Sequence, residues 1–226
     1  MLTLLFIRHG ESVGNCQQRM QGHGAYPLSA QGEQQVQRLA QWLRKHIESP
    51  TQIYSSPLLR SRQTTAAILQ HQPSTIACDY TMAIAEGDAG IFTGLTWQEA
   101  QQRYPHLCDQ LETSADWISV PGAESPNAIR NRAQRWLQMV LQNHGNGDRL
   151  WIITHEWILY QLISVLWGSD RTWQFPVAHT ALFELRLDGK RWLQQDGNTL
   201  YNSSLWQIRR FNDTPHLPDN NAPMLG

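Results

Sequence analysis

The stretch Thr3-Leu4-Leu5-Phe6-Ile7-Arg8-His9-Gly10-Glu11-Ser12 decides the fold. Residues 3–7 form a short apolar run, as a strand buried on both faces would. The run has no basic residues before it and passes directly into Arg8-His9-Gly10, so it reads as a strand rather than a signal peptide. Leu150-Trp151-Ile152-Ile153-Thr154-His155-Glu156 repeats the arrangement far along the chain. Each is a buried strand that ends in polar residues.

Helical patterns fill the space between them. From Ser29, a plausible N-cap, Val36, Leu39, Ala40, Leu43 and Ile47 follow the i, i+3, i+4, i+7 spacing. A second strand is expected at 52–55, a helix opened by Pro57 at 57–69, and strand-like residues at 74–78. A helix is expected at 96–104. Ser125 and Pro126 then cap a long amphipathic helix with Ile129, Ala133, Trp136, Leu137, Val140 and Leu141 on one face. Another helix is expected at 156–167, stopping at Gly168. Asp188-Gly189 reads as a hairpin turn between 181–187 and 191–194, and 213–226 as an extended polar tail. Strands alternating with helices imply an α/β fold: a three-layer sandwich with a mostly parallel central sheet flanked by helices. Its ligands belong at the C-terminal ends of the strands. The expectation is a single domain over 1–226 with a cap-like insertion around 87–123.

Composition narrows the function. The 226 residues are 41% hydrophobic and 16% charged, which suits a globular core. A net charge of -1 argues against general nucleic-acid binding, and no apolar run is long enough for a membrane helix. Of the 18 basic side chains only Lys45 and Lys190 are lysines. Arginine is the better planar fork for phosphate or carboxylate. Cys16, Cys78 and Cys108 are odd in number and lack a C-x-x-C spacing, as reduced thiols in a cytoplasmic protein would.

The polar strand ends suggest phosphoryl chemistry. A partly neutral imidazole at His9 can attack phosphorus, Arg8 offers a bidentate fork, and Gly10 allows close backbone approach to an anion. Arg60 lies just inside a helix after the second strand. Glu86 is a carboxyl group in a glycine-rich loop, and His155 ends the strand at 150–154.

Together these residues resemble the histidine phosphatase superfamily, the phosphoglycerate mutase-like proteins. The resemblance is carried by Arg8-His9-Gly10-Glu11-Ser12 with Asn15, by Pro27-Leu28-Ser29 with Gly32 and Gln35, and by Ser56 through Thr64. It extends to Glu86, His155 and Asn212-Asp213-Thr214-Pro215-His216-Leu217. It implies that His9 is the nucleophile that becomes phosphohistidine, and that Arg8, Arg60 and His155 hold the phosphoryl oxygens. Glu86 would protonate the leaving alcohol and then activate water; Asn15 would add a phosphate or substrate contact. No metal or other cofactor is implied, and the remaining histidines show no ligand spacing. Arg62 reads as structural.

The chain departs from the family pattern in three places. Glu156 stands where a glycine usually follows the second histidine. At a helix start its side chain is expected to point away from the phosphate, leaving only its backbone for binding. Thr93-Gly94 replaces a frequent Glu-Gly, and Ala25 a frequent aspartate. Between 87 and 123 the only basic side chain is Arg103, whereas the mutases carry basic substrate contacts in this region. That favours a phosphatase acting on a small phosphorylated metabolite. A mutase, a phosphate-binding regulator without turnover and a phosphoprotein phosphatase stay open. Trp97 and Trp117 are expected to pack the cap rather than line a pocket, and a homodimer is possible from the tryptophan content.

Overall fold

A computed structural model describes residues 1–192, 194 and 202–218. Strand β1 (Leu2–Arg8) lies near the middle of a six-stranded sheet. β4 (Arg149–Thr154) pairs parallel with it on one side and β5 (Leu182–Leu187) antiparallel on the other. β2 (Gln52–Ser55) and β3 (Cys78–Tyr80) extend the parallel half, and β6 (Trp206–Asp213) closes the other edge against β5. The order is β3-β2-β4-β1-β5-β6, so only β5 runs against the other strands.

Strand alternation divides the core in two. Leu5, Ile7, Trp151 and Ile153 face α2 (Ala30–His46) and α3 (Leu59–Leu69). Leu4, Phe6, Leu150 and Ile152 face α6 (Pro126–Asn143) and α7 (Glu156–Leu166). This is the three-layer sandwich expected. Ser29 caps α2 through the Gly32 amide at 2.9 Å, and Ser125 caps α6 with Pro126 in its first turn. The six apolar residues assigned to one face of α6 are all buried.

The short helix α1 (Val13–Cys16) follows β1, and α4 (Trp97–Arg103) and α5 (Pro105–Thr113) stand in the insertion. The helix expected at 96–104 is therefore followed at once by a second, because Tyr104 breaks the first and Pro105 opens the next. Phe92, Leu95, Ala100, Cys108 and Val120 form a small core of their own there. Phe92 and Val120 of that cluster line a cavity together with Glu86.

Two expectations near the C-terminus fail. Asp188-Gly189 is not a hairpin turn. Asp188 Oδ1 accepts the Lys190 and Arg191 amides, both at 3.0 Å, and winds the chain into α8 (Gly189–Trp192). The antiparallel partner of β5 is β6 instead. The extended tail expected from 213 is a strand end followed by a turn, in which the Leu217 amide donates to Thr214 O at 3.0 Å. Asn212 Oδ1 accepts the Ala178 amide at 2.7 Å, and His216 Nε2 meets Thr180 Oγ1 at 2.8 Å, so this segment is tied to the loop before β5. Residues 219–226 lie outside the described part.

Candidate active site

The register of the sheet assembles the site. Arg8 pairs with Thr154 across β1 and β4, and the His9 amide donates to Thr154 O at 3.0 Å. His9 and His155, the next residues on each strand, thus stand side by side with ring centroids 4.9 Å apart. β2 ends beside them, the Ser56 amide donating to Ile153 O at 2.9 Å, and α3 begins three residues later. Arg60, second in that helix, is 1% exposed.

His9 is held in one tautomer. Its Nδ1–H donates to Gly10 O at 2.6 Å, which leaves a lone pair on Nε2. Arg60 Nε–H reaches that Nε2 at 3.3 Å. Burial, followed by the charges of Arg60 and Arg8, pushes the His9 pKa well below 6.5, so the ring is neutral at physiological pH. Arg60 itself is lowered by burial to about 10 and stays protonated; its terminal nitrogens donate to Gly22 O at 3.0 Å and Gly24 O at 3.3 Å.

His155 is set the same way from the opposite side. Its Nε2 lies 2.7 Å from Ser56 Oγ and 3.2 Å from Ser61 Oγ. Ser56 Oγ already accepts the Leu58 amide, so its hydroxyl proton is free to go to His155. With that proton donated to Nε2, the ring hydrogen stands on Nδ1. His155 Nδ1 and Arg8 Nε are both buried and have no hydrogen-bond partner within the protein. Two such donors beside a lone-pair imidazole suit a tetrahedral oxyanion.

Glu86 faces this cluster from the loop after β3. Its carboxylate accepts from the amides of Trp157 and Ile158 in the first turn of α7, each at 3.3 Å, and from Gly87 at 3.1 Å. Burial raises its pKa above 4.5 against the opposing pull of Arg60. The loop is well supported. Thr154 Oγ1 donates to Ile84 O at 2.8 Å, and Arg132 binds the carbonyls of Met82, Ala83 and Ala85 at 2.9 to 3.1 Å. His23 Nε2 is 2.9 Å from Glu86 O. A buried imidazole with a free lone pair, a ring of cationic and neutral donors and a buried carboxyl group of raised pKa form one constellation. Among the described residues no group of three or more His, Cys, Asp or Glu side chains is arranged to hold a metal.

The sequence profile of the Histidine phosphatase superfamily (branch 1) matches residues 4–199. The chain belongs to that superfamily. With relatives named as phosphoserine phosphatases, that membership supports a phosphatase hydrolase. It is 28% identical over 194 residues to phosphoglycerate mutase-like protein 4 of Arabidopsis thaliana, covering 85% of this chain and 83% of that one. It is also 28% identical over 194 residues to phosphoserine phosphatase 1 of Hydrogenobacter thermophilus, covering 84% of this chain and 89% of the relative. The solved α-ribazole phosphatase of Shigella flexneri shares the fold, with a TM-score of 0.76 at 22% identity over 94% of this chain and 96% of that chain.

Of the residues singled out in this histidine phosphatase, Arg8, His9, Arg60, Glu86 and His155 come together. Three others do something else. The Gly10 amide donates to Thr64 Oγ1 at 3.1 Å. A Cβ at Gly10 would meet Val36 Cγ1 at 2.6 Å and Gly32 O at 3.0 Å, so the glycine lets β1's exit pack on α2. Asn15 occupies the third position of α1, where its Oδ1 accepts the Ser12 amide at 3.0 Å in a capping box. Its carboxamide oxygen is spent on that cap.

Glu156 corrects the expectation most sharply. It does open α7, but its side chain does not point away: Oε2 pairs with Arg8 at 2.7 Å and Oε1 accepts from Tyr160 Oη at 2.7 Å. Arg8 is thereby fixed between Glu156 and the Val177 carbonyl. Arg62, read as structural, stacks its guanidinium 4.7 Å from the centre of the Tyr80 ring.

Sequence reading missed His179, whose ring lies 6.2 Å from His9 and which burial holds down to about 3. A signal was there. A strand antiparallel to β1 must begin at the rim where β1 ends, so residues just before β5 belong beside His9. The Thr180 amide does donate to His9 O, at 3.3 Å.

Proposed function

We propose that this protein is a metal-independent phosphatase that hydrolyses a small phosphomonoester through a phosphohistidine on His9. The observation that carries the reading is the fixed neutral tautomer of His9, its Nε2 lone pair facing Arg60 at 3.3 Å beside the donors of Arg8 and His155. In the first step Nε2 bonds to phosphorus as the bond to the leaving oxygen breaks. Glu86 gives that oxygen its proton, and burial, which raises its pKa, favours the protonated form that this role needs. Arg8, Arg60 and His155 hold the three equatorial oxygens as charge spreads over them. In the second step a water attacks phosphorus, its proton passes to the Glu86 carboxylate, and the P–N bond breaks to release phosphate and neutral His9.

Asn15 is left with its Nδ2 alone to reach substrate, and Glu156 with its backbone. Glu156 instead tempers the charge of Arg8. The relatives carry both names, a phosphoserine phosphatase and a phosphoglycerate mutase-like protein, so the preference for hydrolysis rests on the scarcity of basic side chains in 87–123. The free thiols Cys16, Cys78 and Cys108 fit a reducing, cytoplasmic setting, and no helix of the described residues is long and apolar enough to cross a membrane.

The test is phosphate release from p-nitrophenyl phosphate and a panel of alkyl phosphates in excess chelator. Turnover insensitive to chelator is expected. Loss restored by an added divalent ion would overturn the metal-independent reading.

A further inference from the structure

A cavity of about 360 Å³ opens beside Glu86 and runs under the cap. Trp97, Trp117, Trp157, Phe92, Val120 and Ile129 give it walls that are chiefly hydrocarbon and indole. Its size is at the lower end of ordinary ligand pockets. Three of the indoles are not core residues: Trp97 is 37% exposed, Trp117 45% and Trp157 50%, against 3% for Trp136 and 1% for Trp151. Trp97 also packs edge-on against Phe92 and donates to Glu112 at 2.8 Å, whereas the rings of the more exposed Trp117 and Trp157 have no such tie among the described residues.

The charged groups around this cavity are already engaged. Glu124 forms a two-point pair with Arg132, at 2.9 and 2.6 Å. The other donors of Arg132 go to the carbonyls before Glu86, so that guanidinium is not available to a ligand. Asp88 takes the Gly90 amide at 2.9 Å and lies 3.4 Å from His23 Nδ1. No lysine or arginine lines the cavity among the described residues. A second anionic group on the substrate would lie near Glu86, Asp88 and Glu124 without a cation to receive it.

We infer that the alcohol leaving from this site carries an uncharged apolar body, such as an aromatic ring or a short alkyl chain, lodged against Trp97, Trp117 and Trp157. The inference rests on the phosphatase reading, because it places the leaving group next to its proton donor. It separates this chain's substrate from phosphoserine and from phosphorylated hydroxy acids, whose carboxylates the cavity does not serve. Trp157 links the two halves of the site. Its amide donates to the Glu86 carboxylate while its indole lines the cavity, so an apolar body there is held beside the acid.

The experiment compares kcat/KM for 2-phenylethyl, ethyl and p-nitrophenyl phosphates with phosphoserine, 3-phosphoglycerate and phosphocholine. The expected result is at least a tenfold preference, roughly the reach of a hydrophobic pocket, for 2-phenylethyl phosphate over phosphoserine and 3-phosphoglycerate. Trp117→Ala, at an exposed position, should lower the ratio of 2-phenylethyl to ethyl phosphate by about tenfold. Equal or better turnover of a carboxylated ester or of phosphocholine would overturn the assignment. So would an unchanged ratio in both Trp117→Ala and Trp157→Ala. If no ester is hydrolysed by the wild type, the phosphatase reading fails. Calorimetric binding of 2-phenylethyl phosphate against phosphoserine to the His9→Ala protein then still decides the preference. Tighter 2-phenylethyl phosphate supports the cavity assignment, and equal or tighter phosphoserine rejects it.

Discussion

The phosphate rim and the cap cavity differ in how they are made. At the rim, parallel strand ends place Arg8, His9 and His155 by register, and buried hydrogen bonds fix each ring. The cavity is assembled from loops and short helices over a small core of its own, and its tryptophans stand partly in solvent. The rim is rigid and polar, so it dictates the chemistry. The cavity is apolar and drawn from segments far apart in sequence, from Met20 to Trp157, and on the reading proposed above it selects the body that the phosphate carries.

If that division holds, breaking the rim should cost the most. His9→Ala is expected to reduce turnover by about 10⁴-fold or more on every ester, because the nucleophile contributes irrespective of the leaving group. Measurable activity near wild type would remove the covalent step. Glu86→Gln sits on the border between the two regions. It should slow ethyl phosphate by about 10² to 10³-fold and p-nitrophenyl phosphate far less, since a good leaving group needs little protonation. Equal losses on both esters would show that Glu86 positions rather than protonates.

Acid should also test the rim. His179 is held down to about 3 and His216 to about 4, and burial lowers His9 and His155 as well. These groups are neutral in the fold but bind protons in the unfolded chain below 6.5, so stability is lost as pH falls through that value. Each contributes a slope of up to about 1.4 kcal/mol per pH unit down to its folded pKa. Melting temperature should fall steadily from pH 6.5 towards 4, with inorganic phosphate protecting. A flat profile would mean that the rim histidines are not buried as described.

The smallest change is at Glu156. Glu156→Gln keeps a hydrogen-bond acceptor for Arg8 and removes a negative charge 2.7 Å from it. Inhibition by inorganic phosphate should tighten by about threefold to tenfold. Weaker inhibition would make Glu156 a brace that Arg8 needs, rather than a charge that tempers it.

The rim was largely legible in the sequence because a buried strand followed by Arg-His-Gly, and another by Thr-His, declares both the element and its polar end. Side-chain destinations were less legible. Asn15 and Gly10 stand in a motif suggestive of phosphate, yet local backbone needs claim them, a helix cap in one case and close contact with α2 in the other. Glu156 reaches a partner on another strand, which no local pattern encodes. β6 was hidden because Trp206 through Asp213 mixes Arg209 and Arg210 into an edge strand without clear alternation. The cavity was hidden for a further reason. Trp157 sits in α7, a helix apolar nearly all round, where nothing in the periodicity marks one indole as facing ligand.

The central claim is covalent transfer to His9, and rapid quenching of the enzyme with p-nitrophenyl phosphate followed by peptide mass spectrometry tests it directly. A phosphoryl group that is acid-labile, alkali-stable and located on the peptide containing His9 is the expected result, absent from His9→Ala. Phosphate release with no phosphoenzyme at any time point, or phosphorylation at another residue, would contradict it.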